Sequence, residues 1–248
     1  MIFSQSCLLC GQMHKNALAL CQSCQQDLPW LNTHCTRCAR KLNFAQMLCG
    51  TCLQQPPMQQ RTLAVFEYRF PITPLIQQLK QHQPILLGRL LGHLLAQSAH
   101  QQYAQDVLPQ ALIPIPLHPQ RLRARGHNPA ALISFFAQQA LRAQQALRAQ
   151  QVLRAQQALE TPVLLHTCRR IKNTPSQRGL NSQQRYHNLR QAFEWCPDQL
   201  PNRYRHIAIV DDVVTTGATT QSLARLLQPH VDRIDIWCVA HTQQHAIT

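Results

Sequence analysis

Residues 207–220 read IAIVDDVVTTGATT and hold the side chains best suited to chemistry. Four apolar residues, Ile207 to Val210, run into two carboxylates, Asp211 and Asp212. A small hydroxyl-rich turn follows: Thr215, Thr216, Gly217, Ala218 and Thr219. Leu223, Leu226 and Leu227 then fall on one helical face. The pattern is a strand, a loop and a helix start, with the acids at the strand's end. A helix N-terminus offers unpaired N–H donors and a partial positive charge, which suits a phosphate. Gly217 lets the backbone approach the anion, and the threonine hydroxyls add donors. Adjacent carboxylates accept hydrogen bonds from neighbouring sugar hydroxyls or hold Mg²⁺. A ribose 5-phosphate presents both features. The plain alternative is a buried strand closing in an Asp-rich turn.

A second chemistry lies near the amino terminus. Eight of the eleven cysteines form four C-x-x-C pairs: Cys7/Cys10, Cys21/Cys24, Cys35/Cys38 and Cys49/Cys52. Each C-x-x-C turn sets two thiolates at the bite of a tetrahedral Zn²⁺, so four turns can hold two structural zincs. Disulfides fit poorly, because MIFSQSCLLCGQ has no secretion signal. A redox C-x-x-C normally occurs once, after a strand. Sequential pairing gives a double zinc ribbon and is favoured over a cross-braced arrangement, although spacing alone leaves both open. The module has few other core residues and should need metal to fold. Gly11 and Gly50 stand at the knuckles, where a positive φ is often required. Cys168, Cys196 and Cys238 have no such partner and read as small core residues.

The charge balance points to anions. Formal net charge is +14, and only four of the 24 basic residues are lysines. Arginine grips phosphate with a planar fork of donors, so nucleotides or nucleic acid are the implied partners. Arg121, Arg123 and Arg125 alternate in what reads as a loop after the strand 111–116. In a doubly wound sheet that loop would lie beside Asp211 and Asp212. A polar loop around Arg170 and Lys172 could close over the same ligand.

The elements that position these groups form an α/β pattern. Strands are expected at 63–68, 111–116, 162–168, 206–210 and 234–239, with helices at about 73–80, 85–103 and 130–160. Leu86, Leu87, Leu90, Leu91, Leu94 and Leu95 would form a buried stripe. Residues 180–188 read as a short helix. Pro56-Pro57 divides a zinc module (1–58) from the main domain (59–248). The ALRAQQ repeat at 140–159 advances about 240° net per unit, so Leu141, Leu147 and Leu153 cannot share a stripe. It reads as an extension into solvent rather than a coiled coil. No segment has about 20 apolar residues without charges, so no membrane span is expected.

Residues 207–220 resemble the phosphoribosyl pyrophosphate (PRPP) motif of type I phosphoribosyltransferases. With the cysteine module, the whole chain resembles the ComF (also called GntX) competence family. The likeness also rests on Asp27-Leu28-Pro29-Trp30, Ala64-Val65-Phe66 with Tyr68, Leu79-Lys80 and Pro114 to His118. It continues through Arg121 to Arg125, Gly126 and Asn128, and through Thr174, Gln177, Leu180, Arg185, Asn188, Ala192 and Phe193. Two departures stand out: the usual Arg-Gly-Phe-Asn-Gln is here Arg125-Gly126-His127-Asn128-Pro129, and the 140–159 repeat is foreign to the family pattern. The resemblance implies a type I phosphoribosyltransferase fold behind a zinc module, a role in DNA uptake on the cytoplasmic side, and work near a DNA translocase helicase. In the implied site Asp211 and Asp212 hold ribose hydroxyls and Mg²⁺, and Thr215 to Thr219 hold the 5′-phosphate. Arg121, Arg123 and Arg125 approach the pyrophosphate, and Arg170 and Lys172 close over it. Two rival readings are a nucleobase salvage enzyme and a single-stranded DNA adaptor. Aromatic residues, which stack on unpaired bases, are only 6% of the chain.

Overall fold

The computed structural model describes residues 4–44, 47–151, 161–173, 192–197 and 204–243. The expected loop and short helix in 174–189, and the repeat beyond Gln151, lie outside these residues.

Four strands form a parallel sheet: β3 (Arg61–Glu67), β4 (Ala111–Pro114), β7 (His206–Val214) and β8 (Arg233–His241), in the order β3-β8-β7-β4. A parallel sheet needs both faces covered. One face carries α3 (Ile72–Leu79), α4 (Pro84–Gln102) and α6 (Pro129–Gln151), and the other carries α7 (Ala218–Leu227). Helices α4 and α6 cross closely at Gly92, where an added Cβ would lie 2.7 Å from Phe136 Cβ and 2.8 Å from the Ile133 carbonyl. On the α4 stripe Leu87, Leu90, Leu91, Leu94 and Leu95 are buried, but Leu86 is exposed on the helix's outer side. Ala140 and Leu141 are buried as well. The first repeat unit thus begins inside the core, not in solvent.

Two strand expectations change. The stretch 162–168 makes only a single parallel bridge, Val163 to Leu112, before turning away. Its end instead starts β5 (Cys168–Arg170), antiparallel to β6 (Phe193–Trp195). Strand β7 runs past Val210 through both acids to Val214. Its partner β8 is equally long and apolar and keeps pairing as far as Val214↔His241. On the other side, β4 pairing ends at Pro114↔Val210. Pro114 and Pro116 offer no N–H to extend the ladder. The acids therefore sit inside a strand that is paired on one side and open on the other.

The amino-terminal module, with the short strands β1 (Gln5–Ser6) and β2 (Met13–His14) and helix α1 (Gln22–Gln26), covers the β3 edge. Leu31 N donates to the Val65 carbonyl and Glu67 N to the Pro29 carbonyl, each at 2.9 Å. The Trp30 and Phe66 rings lie 4.7 Å apart. At the amino ends of β7 and β8, away from the acids, the fully buried Asp235 carboxylate accepts hydrogen bonds from Tyr103 Oη and His206 Nε2, both at 2.7 Å. Arg233 bridges Asp235 to Asp106.

Candidate functional site

The cysteines gather in sequential order. Cys7, Cys10, Cys21 and Cys24 form one group, and Cys35, Cys38, Cys49 and Cys52 the other, with sulfur atoms within 4.8 Å of one another. This excludes the cross-braced arrangement. Each group is an all-thiolate donor set of the right number for structural Zn²⁺. The two halves repeat in detail: Gly11 N donates to the Cys7 carbonyl at 2.9 Å and Ala39 N to the Cys35 carbonyl at 2.8 Å. Gly11 has φ +75° and Ala39 φ +58°. Gly50, by contrast, starts α2 (Gly50–Gln54) without a positive φ. Ala39 takes the strained place, which a search for glycine misses. Burial pushes the Cys7 and Cys35 thiols up, but backbone N–H groups outweigh it and bring them to about 6 and about 7. Burial drives Cys38 up to about 12. A bound dication lets all four thiolates of a group coexist.

At the carboxyl ends of β4 and β7 opens a cleft of about 830 Å³. Asp211 and Asp212 form part of its wall, with Arg121, Arg125, Arg170, Lys80 and Thr219 around them. The arginines 121–125 lie not in a loop but on α5 (Pro119–Arg125). Pro119 fits the first turn, His118 Nδ1 accepts from Gln120 N at 3.3 Å, and Gly126 at φ +79° ends the helix. Four residues apart, Arg121 and Arg125 share one face and line the cleft; Arg123 does not. Arg170 belongs to β5, where it is buried with its guanidinium 5.6 Å from the Phe193 ring centre. Burial, then the Arg121 charge, pull its pKa down against the pull of Asp211. Lys172 is exposed and lies outside the cleft lining.

Lys80, at the C-terminus of α3, is a site residue that the sequence reading noted only in the Leu79-Lys80 likeness and gave no role in the site. Its Nζ lies 2.6 Å from Asp212 Oδ2. His127 helps to hold that helix end, with Nε2 2.8 Å from the Leu79 carbonyl. Burial and the neighbouring Asp212 charge push Asp211 up to about 8, against the pull of Lys80. Asp212 N donates to Asp211 Oδ1 at 2.9 Å and Val213 N to Asp212 Oδ1 at 2.7 Å.

The turn after β7 has the form expected. Gly217, at φ +74°, is the N-cap of α7 and supplies no side-chain cap. Thr216 Oγ1 is buried with no hydrogen-bond partner. Thr219 faces the large cleft, while Thr215, Thr216 and Gly217 face an adjoining cavity of about 360 Å³ beside the second cysteine group. Ala218 is the first residue of α7 and lines neither.

These features define a double zinc ribbon joined to an α/β domain whose four-stranded parallel sheet with flanking helices is consistent with the type I phosphoribosyltransferase fold. The double zinc ribbon domain family matches residues 1–53. Over 242 residues the chain is 32% identical to competence protein F of Haemophilus influenzae, covering 96% of this chain and 97% of that protein. It is 31% identical to the DNA utilization protein YhgH of Shigella flexneri and 30% identical to that of Escherichia coli K12, each over 90% of both chains. The chain belongs to the competence protein F family.

Proposed function

We propose that the cleft, together with the small cavity lined by Thr215, Thr216 and Gly217, binds a ribose 5-phosphate group, of PRPP or a related nucleotide, in the service of DNA uptake. One observation carries the reading. Paired carboxylates on an open strand edge lead, within one turn, to an uncapped helix N-terminus and an orphaned buried hydroxyl, Thr216 Oγ1. A hydroxyl without a partner is costly to bury, and an incoming phosphate oxygen would satisfy it. Asp211 and Asp212 would accept from the ribose hydroxyls. Arg121, Arg125, Arg170 and Lys80 supply the positive charge for the remaining phosphates. Mg²⁺ suits the carboxylate pair, and when bound it would neutralise Asp211 and Asp212 beside the phosphates. The relatives' names, competence protein F and DNA utilization protein, support the DNA-uptake part of this reading; cytoplasmic work near a DNA translocase is the part that the family resemblance alone implies. Among the described residues no helix is long and apolar enough to cross a membrane. Calorimetric titration of the zinc-loaded chain with PRPP and Mg²⁺ tests the site. Binding that is lost in Asp211→Asn/Asp212→Asn supports it; undiminished binding refutes it.

Single-stranded DNA is a second candidate ligand. On the second ribbon Phe44 and Met47 are strongly exposed, near in sequence to Arg40 and Lys41. Exposed apolar surface among cations is what unpaired bases stack on. Binding that weakens steeply with salt supports this reading, and Phe44→Ala should reduce it.

A further inference from the structure

We infer that the second zinc ribbon, through Gln59, Gln221 and Gln243, sets the geometry of the turn that receives the phosphate; this rests on the ribose-phosphate reading above. The Cys35–Cys38 knuckle is hydrogen-bonded toward both ends of that turn. On one side, Gln59 Nε2 donates to the Arg37 carbonyl at 2.9 Å, from between the two zinc-binding cysteines. Thr62 Oγ1 donates to the same carbonyl at 2.5 Å. Gln59 Oε1 accepts from Gln221 Nε2. Gln221 lies in the first turn of α7, where its own N–H binds the Gly217 carbonyl at 2.8 Å. On the other side, Gln243 Nε2 donates to the Ala39 carbonyl at 3.3 Å and its Oε1 accepts from Lys41 N at 2.7 Å. The preceding residue, Thr242, donates its N–H to the Val214 carbonyl at 3.0 Å, immediately before Thr215.

The turn 215–217 is thus a short span held near Val214 and near Gln221, and both tethers lead to carbonyls of one zinc knuckle. Cys38 and Cys52 share the wall of the small cavity with Thr215, Thr216 and Gly217. Gln59 and Thr62 are buried, so these amide and hydroxyl bonds do not compete with water. The first ribbon has a different seat. Cys7, Leu20, Cys21 and Leu28 join the core on the α3–α4 face, while Ala39 and Leu31 join the α7 face. Zinc in the second group should therefore favour the phosphate-ready turn, and by reciprocity phosphate binding should hold that zinc more tightly by the same factor.

The test uses the full chain loaded with zinc, ribose 5-phosphate with Mg²⁺ as the probe, and the variants Gln59→Leu, Gln221→Leu and Gln243→Leu. Metal analysis and thermal melting check that each variant is folded and holds two zincs. Gln59→Leu, which removes a buried amide, should bind the probe about tenfold more weakly, and Gln221→Leu and Gln243→Leu, whose bonds are partly exposed, about threefold more weakly. In the wild type, saturating probe should slow release of one of the two zincs to a chelating dye and leave the other unchanged; Gln221→Leu should abolish that slowing. Variants that bind as the wild type does, with zinc release indifferent to the probe, overturn the coupling alone. A wild type that binds no probe overturns the ribose-phosphate reading and the coupling together.

Discussion

Replacing Lys80 by Met isolates what the acid pair needs. In the ligand-free protein Lys80 Nζ lies 2.6 Å from Asp212 Oδ2, with 31% of the Lys80 side chain exposed and 12% of Asp212. At an effective dielectric of about 20, a contact at this distance has a gross attraction of roughly 6 kcal/mol. Desolvation and the ordering of a long side chain offset much of it, and the partial exposure of Lys80 reduces the rest. The expected net loss is about 2 kcal/mol, or roughly 4–8 °C in melting temperature for a chain of this size. The same change takes away the cation that draws Asp211 down, so the pair should hold a proton more tightly. Lys80 and a metal ion compete for Asp212, which sets the sign of a second effect: Mg²⁺ should stabilise Lys80→Met more than it stabilises the wild type. PRPP, which needs cationic charge in the cleft, should bind the variant more weakly. Differential scanning calorimetry with and without Mg²⁺, followed by PRPP titration, reads all three. A variant that melts with the wild type and gains nothing extra from Mg²⁺ would refute the role given to Lys80.

Three further outcomes follow from other contacts. Thr216→Val replaces the orphaned hydroxyl with a methyl, so the ligand-free protein should be unchanged or more stable by up to about 1 kcal/mol. PRPP affinity should fall about tenfold, and calorimetry reads both effects. Gly92→Ala forces α4 and α6 apart, because its Cβ would meet backbone and Phe136 atoms at 2.7–2.9 Å; denaturant unfolding should show a loss of about 1–3 kcal/mol. Asp106, held down to about 2 chiefly by its hydrogen bonds from Arg233, has a folded pKa below its unfolded one. Its stabilisation is therefore complete above about pH 4 and lost as pH falls toward 2. Asp106→Asn should remove up to about 2 kcal/mol of neutral-pH stability and flatten that acid limb.

The sequence spoke most clearly where chemistry is local. Four C-x-x-C knuckles and the run from Ile207 to Thr220 each carry their meaning within a few residues: the knuckles gather in sequential pairs, and a strand, a turn and a helix follow in the expected order, although the strand runs on past the acids. Helix α5 was also legible, since Pro119 and Gly126 bracket it; reading three alternating arginines as a loop hid the four-residue spacing that separates Arg121 and Arg125 from Arg123. The length of β7 was not legible, because it depends on what β8 offers alongside. Lys80 and Asp212 meet only after α3 packs on the sheet. The Gln59–Gln221 contact likewise joins positions with no periodicity to link them, in a chain where glutamine is common enough to pass as solvated filler.

The central claim is that the turn after β7 receives a phosphate and the two acids before it receive a ribose. A crystal structure of the zinc-loaded chain soaked with ribose 5-phosphate and Mg²⁺ tests it most directly. The phosphate should rest on the N–H groups at the start of α7 and on Thr216 Oγ1, with the sugar hydroxyls toward Asp211 and Asp212. A sugar phosphate seated elsewhere, with those N–H groups and carboxylates untouched, would contradict it.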